Sequence, residues 1–178
     1  MSNSATNSAT INADTDMRSC SFVSDTNKHV NIHVSSVYLK RIPLMVVETG
    51  TDLYHISFYQ KDSKTYDTIN SEEAKQLWIK QQQLSEAQFY ILRLTQHPTN
   101  ILIEIYVSSS FFSHVGAISY VNLGNLFKVN FTFLDGRSLS IMRSGCKENE
   151  DFQSTMDAMI KHWKKAVEDG SQNLLNFD

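Results

Sequence analysis

The stretch Leu126–Ser144, "LFKVNFTFLDGRSLSIMRS", decides the fold because it contains the clearest pair of strands in the chain. Apolar and polar residues alternate through its first half. One side of that strand would carry Phe127, Val129, Phe131 and Phe133, and the other Lys128, Asn130 and Thr132. Asp135-Gly136 is a dipeptide typical of a tight hairpin turn. The stretch therefore predicts two antiparallel strands with one apolar face.

Further strands are predicted on the N-terminal side of this pair. They are "HVNIHVSSVYL" (29–39), "LMVVE" (44–48), "DLYHISFYQ" (52–60), "FYILRLTQ" (89–96) and "ILIEIYVSS" (101–109). Residues 44–60 are expected to form a hairpin around Thr49-Gly50-Thr51, and residues 97–100 a turn. Pro43 should lie at a strand start or edge because it has no N–H to donate.

Two helices are predicted. The first lies in "NSEEAKQLWIKQQQLSEAQ" (70–88), with an apolar stripe of Ala74, Leu77, Trp78 and Leu84. The second runs from about Glu148 to Glu168, with Gly170 as its stop, and its apolar stripe is Phe152, Met156, Met159, Ile160, Trp163 and Val167. Strands in runs with separate helices predict an α+β fold. We expect a strongly bent antiparallel sheet of about seven or eight strands, with both helices packed on one face.

Composition predicts one folded domain. Of 178 residues, 41% are hydrophobic, which is enough to build a core unaided. Residues 1–20 are mostly Ser, Thr, Asn, Asp and Ala, so they are predicted to be a flexible polar tail. Residues 21–170 would form a single α+β domain, and residues 171–178 a short C-terminal tail.

Several function classes are disfavoured. A net charge of −3 argues against a general nucleic-acid binder. Cys20 and Cys146 form no CxxC motif, and the known nucleotide-binding and metalloprotease motifs are missing, so we expect no cofactor and no metal site. Neither a signal peptide nor a transmembrane segment is recognisable. The expected location is the cytoplasm, with export by a specialised secretion system left open.

The stretch Val107–Asn125, "VSSSFFSHVGAISYVNLGN", is the main candidate site. Its serines and His114 raise the question of acyl transfer, but neither a GxSxG elbow nor an SxxK pair occurs in the chain. A structural interpretation folds Phe111 or Phe112 into the core. A recognition loop would keep one of these rings exposed, and we predict partner contacts at Phe111, Phe112, His114 and Tyr120.

Other candidate groups have simpler structural explanations. His29 and His33 share a strand face but lack a third ligand for zinc. His55 is expected to be a structural histidine. Lys161, His162, Lys164 and Lys165 would complement the negative end of the last helix dipole. Whether these groups or Lys40 and Arg41 converge into a phosphoinositide or nucleic-acid patch remains open.

The hairpin "FKVNFTFLDGRSLSIMRS", the acidic "ENEDF" and a helix containing Trp163 resemble the end of a pleckstrin-homology domain. That resemblance implies a strongly bent antiparallel sheet closed by a C-terminal helix, with the helix at 71–84 as an insertion. The order helix, antiparallel meander, helix is also similar to small proteins of the PsbP/Mog1 type, some of which are adaptors. Both are resemblances of layout without a family motif, so the chain is assigned to neither family.

Three functional hypotheses follow. The first is a noncatalytic protein-interaction module, such as an adaptor, chaperone or immunity-type protein. It would bind another protein through an exposed sheet edge and residues 107–125, and self-association stays open. The second is an enzyme of unfamiliar type with a pocket of histidine and carboxylates. The third is a pleckstrin-homology-like module that binds phosphoinositides.

Overall fold

Three antiparallel sheets carry the strands in the computed structural model, which describes residues 17–23, 29–69 and 72–177, with side chains described for 38–65 and 72–170. The strands are β1 (Met17–Val23), β2 (His29–Ser35), β3 (Leu44–Thr49), β4 (Tyr54–Tyr59), β5 (Thr65–Ile69), β6 (Phe89–Gln96), β7 (Ile101–Ser108), β8 (Val115–Asn122), β9 (Leu126–Phe133), β10 (Ser138–Ser144) and β11 (Cys146–Glu148). The helices are α1 (Ser36–Lys40), α2 (Glu72–Leu84), a 3-10 helix (Ser109–His114) and α3 (Phe152–Phe177).

The largest sheet has six strands in the order β11-β6-β7-β3-β4-β5 and is covered on both faces. In β3, Met45 and Val47 pack with Trp78 of α2, whereas Leu44 and Val46 face the opposite way, into a core shared with α3. Burial on both faces explains why "LMVV" is a continuous apolar run instead of an alternating one.

The predicted hairpin is confirmed as β9 and β10 of a three-stranded sheet, in the order β10-β9-β8. The four apolar residues of β9, from Phe127 to Phe133, are buried, while Lys128, Asn130 and Thr132 are only partly covered. This sheet packs its inner face against the six-stranded sheet, so the core between them is rich in aromatic rings.

Helix α3 closes this core. Phe152, Met156 and Met159 are buried, and the Trp163 indole N–H donates to the Val115 carbonyl at 2.9 Å. The helix continues to Phe177, so the predicted stop at Gly170 is wrong. An interior glycine costs a helix only about 1 kcal/mol relative to alanine, which is too little to end it.

The α+β class with antiparallel sheets and a C-terminal helix is confirmed. The two long helices, however, pack on opposite faces of the six-stranded sheet, because α2 joins the Met45 cluster and α3 the Leu44 cluster. Residues 1–16 of the predicted tail lie outside the described residues. Met17–Cys20 belong to β1, which pairs with β2, so the predicted boundary at residue 20 falls inside a strand.

Candidate functional site

The segment Val107–Asn125 is not a loop: it contains the end of β7, the 3-10 helix and all of β8. Phe111 is 5% exposed and Phe112 is fully buried. Phe111 packs edge-on to Phe131 with ring centroids 5.9 Å apart, and Phe112 packs on His162 of α3 at 5.3 Å. The expectation that one of these phenylalanines stays exposed is therefore wrong, since both rings anchor the 3-10 helix to the core.

Three serines of this segment, Ser108, Ser109 and Ser110, have structural partners. Ser108 caps the 3-10 helix, and its buried hydroxyl donates to Gln82 Oε1 of α2 at 2.6 Å. The Ser109 hydroxyl accepts a hydrogen bond from the Gln88 backbone N–H at 3.1 Å. The Ser110 hydroxyl lies 2.8 Å from that of Ser108. These contacts satisfy polar groups that burial would otherwise leave unpaired, and none of them joins a serine to a general base.

His114 and Tyr120 were the other two predicted contact residues. The His114 side chain is exposed and forms no hydrogen bond with any carboxylate that the structure describes. The Tyr120 hydroxyl donates to Gln153 Oε1 at 3.1 Å, and its ring packs against Phe152. Of the four predicted contact residues, His114 alone presents an exposed side chain, whereas Tyr120 fastens β8 to α3.

Exposed apolar side chains concentrate on the three-stranded sheet. Among the described residues, the exposed large hydrophobics are Leu84, Val121, Leu123, Leu134 and Met142, and all but Leu84 belong to this sheet or its turns. The register pairs Val121 and Met142 with Lys128, one from each side, so the three form a row across the sheet. Leu123 follows in the β8–β9 turn. We name Val121, Leu123 and Met142 the apolar patch.

The two edges of this sheet differ. The Ser63 hydroxyl binds the Ser138 carbonyl and the Ser140 N–H of β10, each at 3.1 Å, and Gln96 donates to the Ser144 carbonyl at 2.9 Å. The edge of β10 is therefore closed by side chains.

The other edge is β8. Hydrogen bonds at the two ends of β9 show which main-chain groups of β8 point away from β9. Leu123 N–H donates to the Leu126 carbonyl, and Phe133 N–H to the Arg137 carbonyl. Residues alternate along an antiparallel ladder, so Ser119 and Val121 pair with β9, while the main chain of Ile118 and Tyr120 points away from it. No other described residue pairs with these outward groups, although α3 runs beside β8 and binds Val115 and Tyr120.

A partly buried ion pair fixes the three-stranded sheet to the six-stranded one. Arg143 Nε of β10 donates to Glu48 Oε2 of β3 at 2.8 Å, and His55 Nδ1 lies 3.3 Å from Glu48 Oε1. The hydrogen bond from His55 and the guanidinium of Arg143 lower the pKa of Glu48, against the opposing effect of burial. His55 is thus a structural partner of Glu48, consistent with the interpretation from sequence.

A cleft of about 490 Å³ is lined in part by the 3-10 helix. Its cations come from segments far apart in sequence: Lys40 ends α1 and Arg41 follows it, Lys61 follows β4, and Arg137 lies in the β9–β10 turn. The remaining lining residues are Pro43, Gln60, Asp62, Ser110, Phe111 and His114. We name this site the basic cleft. It brings together the basic pair Lys40-Arg41 and the exposed His114 that the sequence had singled out separately.

The lysines of α3 lie elsewhere and in a different setting. Lys161, Lys164 and Lys165 share a surface with Asp157, Glu168 and Asp169, so positive and negative charges alternate along this face. The sequence predicted these lysines at the C-terminal end of the helix. Because α3 extends to Phe177, they lie nearer its middle. Their surface is therefore a mixed, solvated helix face.

The side chains of His29 and His33 lie outside the described residues. In the described part of the chain, no three His, Cys, Asp or Glu side chains are grouped as a metal site. No described helix combines the length and apolar character needed to cross a membrane. Comparison with protein-family models, with curated proteins and with solved structures gave no match. Functional inference therefore depends on the geometry of this chain alone.

Proposed function

We propose that the protein is a noncatalytic protein-interaction module whose partner packs on the three-stranded sheet, at the apolar patch and along β8. The supporting observation is the clustering of exposed apolar side chains on this one sheet. Met142 is 53% exposed and lies on β10, and Leu123 is 67% exposed and lies in the β8–β9 turn. Exposed apolar side chains that gather on one sheet, with polar residues such as Lys128 among them, are typical of interaction sites, whereas scattered single residues are not.

The surrounding residues support protein binding over chemistry. The Val115–Asn122 strand contains no charged residue and no proline, so it lacks the features that usually keep an edge strand from pairing with another chain. Ser108 caps the 3-10 helix and binds Gln82 of α2, and the neighbouring His114 has no described carboxylate to orient it. A partner could combine apolar contacts at the patch with main-chain hydrogen bonds from β8.

Affinity capture with the full chain as bait, in an extract of cells that carry its gene, tests this proposal. The patch variant is Val121→Glu with Met142→Glu, which places carboxylates on both sides of Lys128 and so preserves favourable cross-strand pairing. The matched control is Gln83→Glu with Leu84→Glu, which adds the same charge on the exposed end of α2.

The parent and the control should recover the same partner, and the patch variant should lose it while melting at the same temperature. Equal recovery by the patch variant would refute the proposal. Self-association of the parent that disappears in the patch variant would instead identify the partner as a second copy of this chain.

A further inference from the structure

The basic cleft is the second surface that residues 107–125 help to build, and its charge is unusual for this chain. Four cations line it, Lys40, Arg41, Lys61 and Arg137, with Asp62 as the one carboxylate among its described lining residues. Cations therefore outnumber carboxylates among the residues that line the cleft, in a protein whose net charge is −3. Such an excess within one concave site favours an anionic ligand.

Two of the cations are held in place by neighbours. Arg137 donates from Nε and Nη2 to Asp135 Oδ2, at 2.9 and 2.6 Å, which leaves its Nη1 group available. These hydrogen bonds lower the pKa of Asp135 to about 2, so the carboxylate that orients Arg137 stays ionised. The Lys61 ammonium lies 5.4 Å from the centre of the Phe133 ring. A cation fixed before binding loses less conformational freedom when a ligand arrives.

Two of the cations that line the cleft have no ion pair within the described residues. Arg41 and Lys61 form no ion pair with any carboxylate that the structure describes. The surface of the α3 lysines provides the contrast, because acidic residues lie among them. The basic cleft therefore has cations that neighbouring side chains do not neutralise.

Size and charge together indicate the class of ligand. The volume of about 490 Å³ lies in the range of small-molecule sites, which is roughly 300–1,000 Å³. A phosphate monoester carries a charge of about −1.5 to −2, and the cleft has two guanidinium groups, one for each of two phosphate groups. Arg41 and Arg137 supply the planar donors that suit phosphate oxygens, and Gln60, Ser110 and His114 offer polar groups for the rest of the ligand.

We propose that the basic cleft binds a small organic molecule that carries two phosphate groups. This site is independent of the apolar patch, so the proposal does not rest on the proposed function. The ligand could be a free metabolite or the headgroup of a lipid, and the experiment separates these sources.

Isothermal titration at about 0.15 M salt, with the full chain, tests the proposal using pyrophosphate, a hexose bisphosphate and a soluble inositol bisphosphate. The cleft variant is Arg41→Gln with Lys61→Gln, and the matched control is Lys164→Gln with Lys165→Gln on α3. All four side chains are at least partly exposed, and thermal unfolding of both variants checks that the fold is unchanged.

At least one bisphosphate should bind with one site per chain and a Kd below about 1 mM. The cleft variant should bind that bisphosphate with about tenfold or more lower affinity. The control should bind as the parent does. Sedimentation with phosphatidylcholine vesicles, with and without phosphatidylinositol bisphosphate, identifies the source: capture in addition to soluble binding indicates a lipid headgroup, and soluble binding alone a free metabolite.

Three results would overturn the proposal. One is the absence of binding by every soluble bisphosphate, including the case in which only vesicles are captured. Another is equal weakening by the cleft variant and by the α3 control, which would show that net charge alone attracts the ligand. The last is binding of a glutamate-rich peptide at the cleft with no bisphosphate binding, which would identify an acidic protein segment instead.

Discussion

The apolar patch and the basic cleft both include residues of the segment Val107–Asn125 but arise in different ways. Strand register alone builds the patch, because Val121 and Met142 both pair with Lys128. The cleft needs four chain segments, from Lys40 to Arg137, to meet around the 3-10 helix. A flat apolar surface suits a protein partner, and a concave charged one suits a small anion. Variants that damage one surface and spare the other therefore test each assignment separately.

The largest effect is expected from Phe112→Ala, which should damage both surfaces together. Phe112 is fully buried and holds the 3-10 helix between Tyr90 and His162. Removing such a ring typically costs about 3–5 kcal/mol. Chemical denaturation of the variant measures this loss. A change below about 1 kcal/mol would mean that the ring is not a core anchor and would reopen its role in partner contact.

The next largest loss of stability is expected from Arg143→Met. This variant affects the three-stranded sheet that carries the apolar patch. Truncating one partner of a buried ion pair costs about 3–5 kcal/mol, and we expect about 2–3 here because Arg143 and Glu48 keep side-chain exposures of 21% and 17%. Unfolding in urea, followed by tryptophan fluorescence, measures the loss. An unchanged midpoint would show that the pair contributes nothing to joining the two sheets.

The same pair predicts a dependence on pH. The pKa of Glu48 is lowered in the folded protein from its ordinary value of 4.5. Its contribution to stability is therefore complete above pH 4.5 and is lost as the pH falls through the lower, folded value. Glu48→Gln should reduce the slope of unfolding free energy against pH in this acidic range. Identical slopes for variant and parent would contradict this assignment.

A smaller loss of stability is expected from Ser108→Ala, which tests the structural role of the serines. The variant leaves the Gln82 amide oxygen buried without its 2.6 Å hydrogen bond. Leaving a buried polar group unpaired costs about 1–3 kcal/mol. Thermal unfolding measures the loss, and binding of a captured partner serves as a second readout. Full stability with binding abolished would instead place Ser108 in a functional site.

The fold was largely predictable because its strands obey simple patterns. In β9 the alternation of Phe127 to Phe133 with polar residues identified both the strand and its buried face. The pattern was less informative where both faces are covered. The run "LMVV" does not reveal which side α2 occupies, so the placement of both helices on one face was wrong. Gly170 was assigned too much weight as a helix stop.

The candidate surfaces were harder to predict. Adjacent phenylalanines at 111 and 112 suggested one inward and one outward ring, but in a 3-10 helix set between two sheets and α3 both reach the core. The sequence does contain a signal for the apolar patch, since Met142 interrupts an otherwise polar face of β10. The sequence contains almost no signal for the basic cleft. Lys61 and Arg137 are ordinary turn residues until the β4–β5 and β9–β10 turns meet, which depends on tertiary contacts such as Ser63 with Ser140.

The smallest effects on stability are expected from surface variants, and they give the most direct test. Partner affinity should be measured by titration for the parent, the patch variant (Val121→Glu with Met142→Glu) and the cleft variant (Arg41→Gln with Lys61→Gln). Both variants should unfold within about 0.5 kcal/mol of the parent. We predict that the patch variant has about tenfold or more lower affinity for the captured partner, while the cleft variant binds that partner like the parent. Parent-like affinity in the patch variant would contradict the central claim that this sheet is the protein-binding surface.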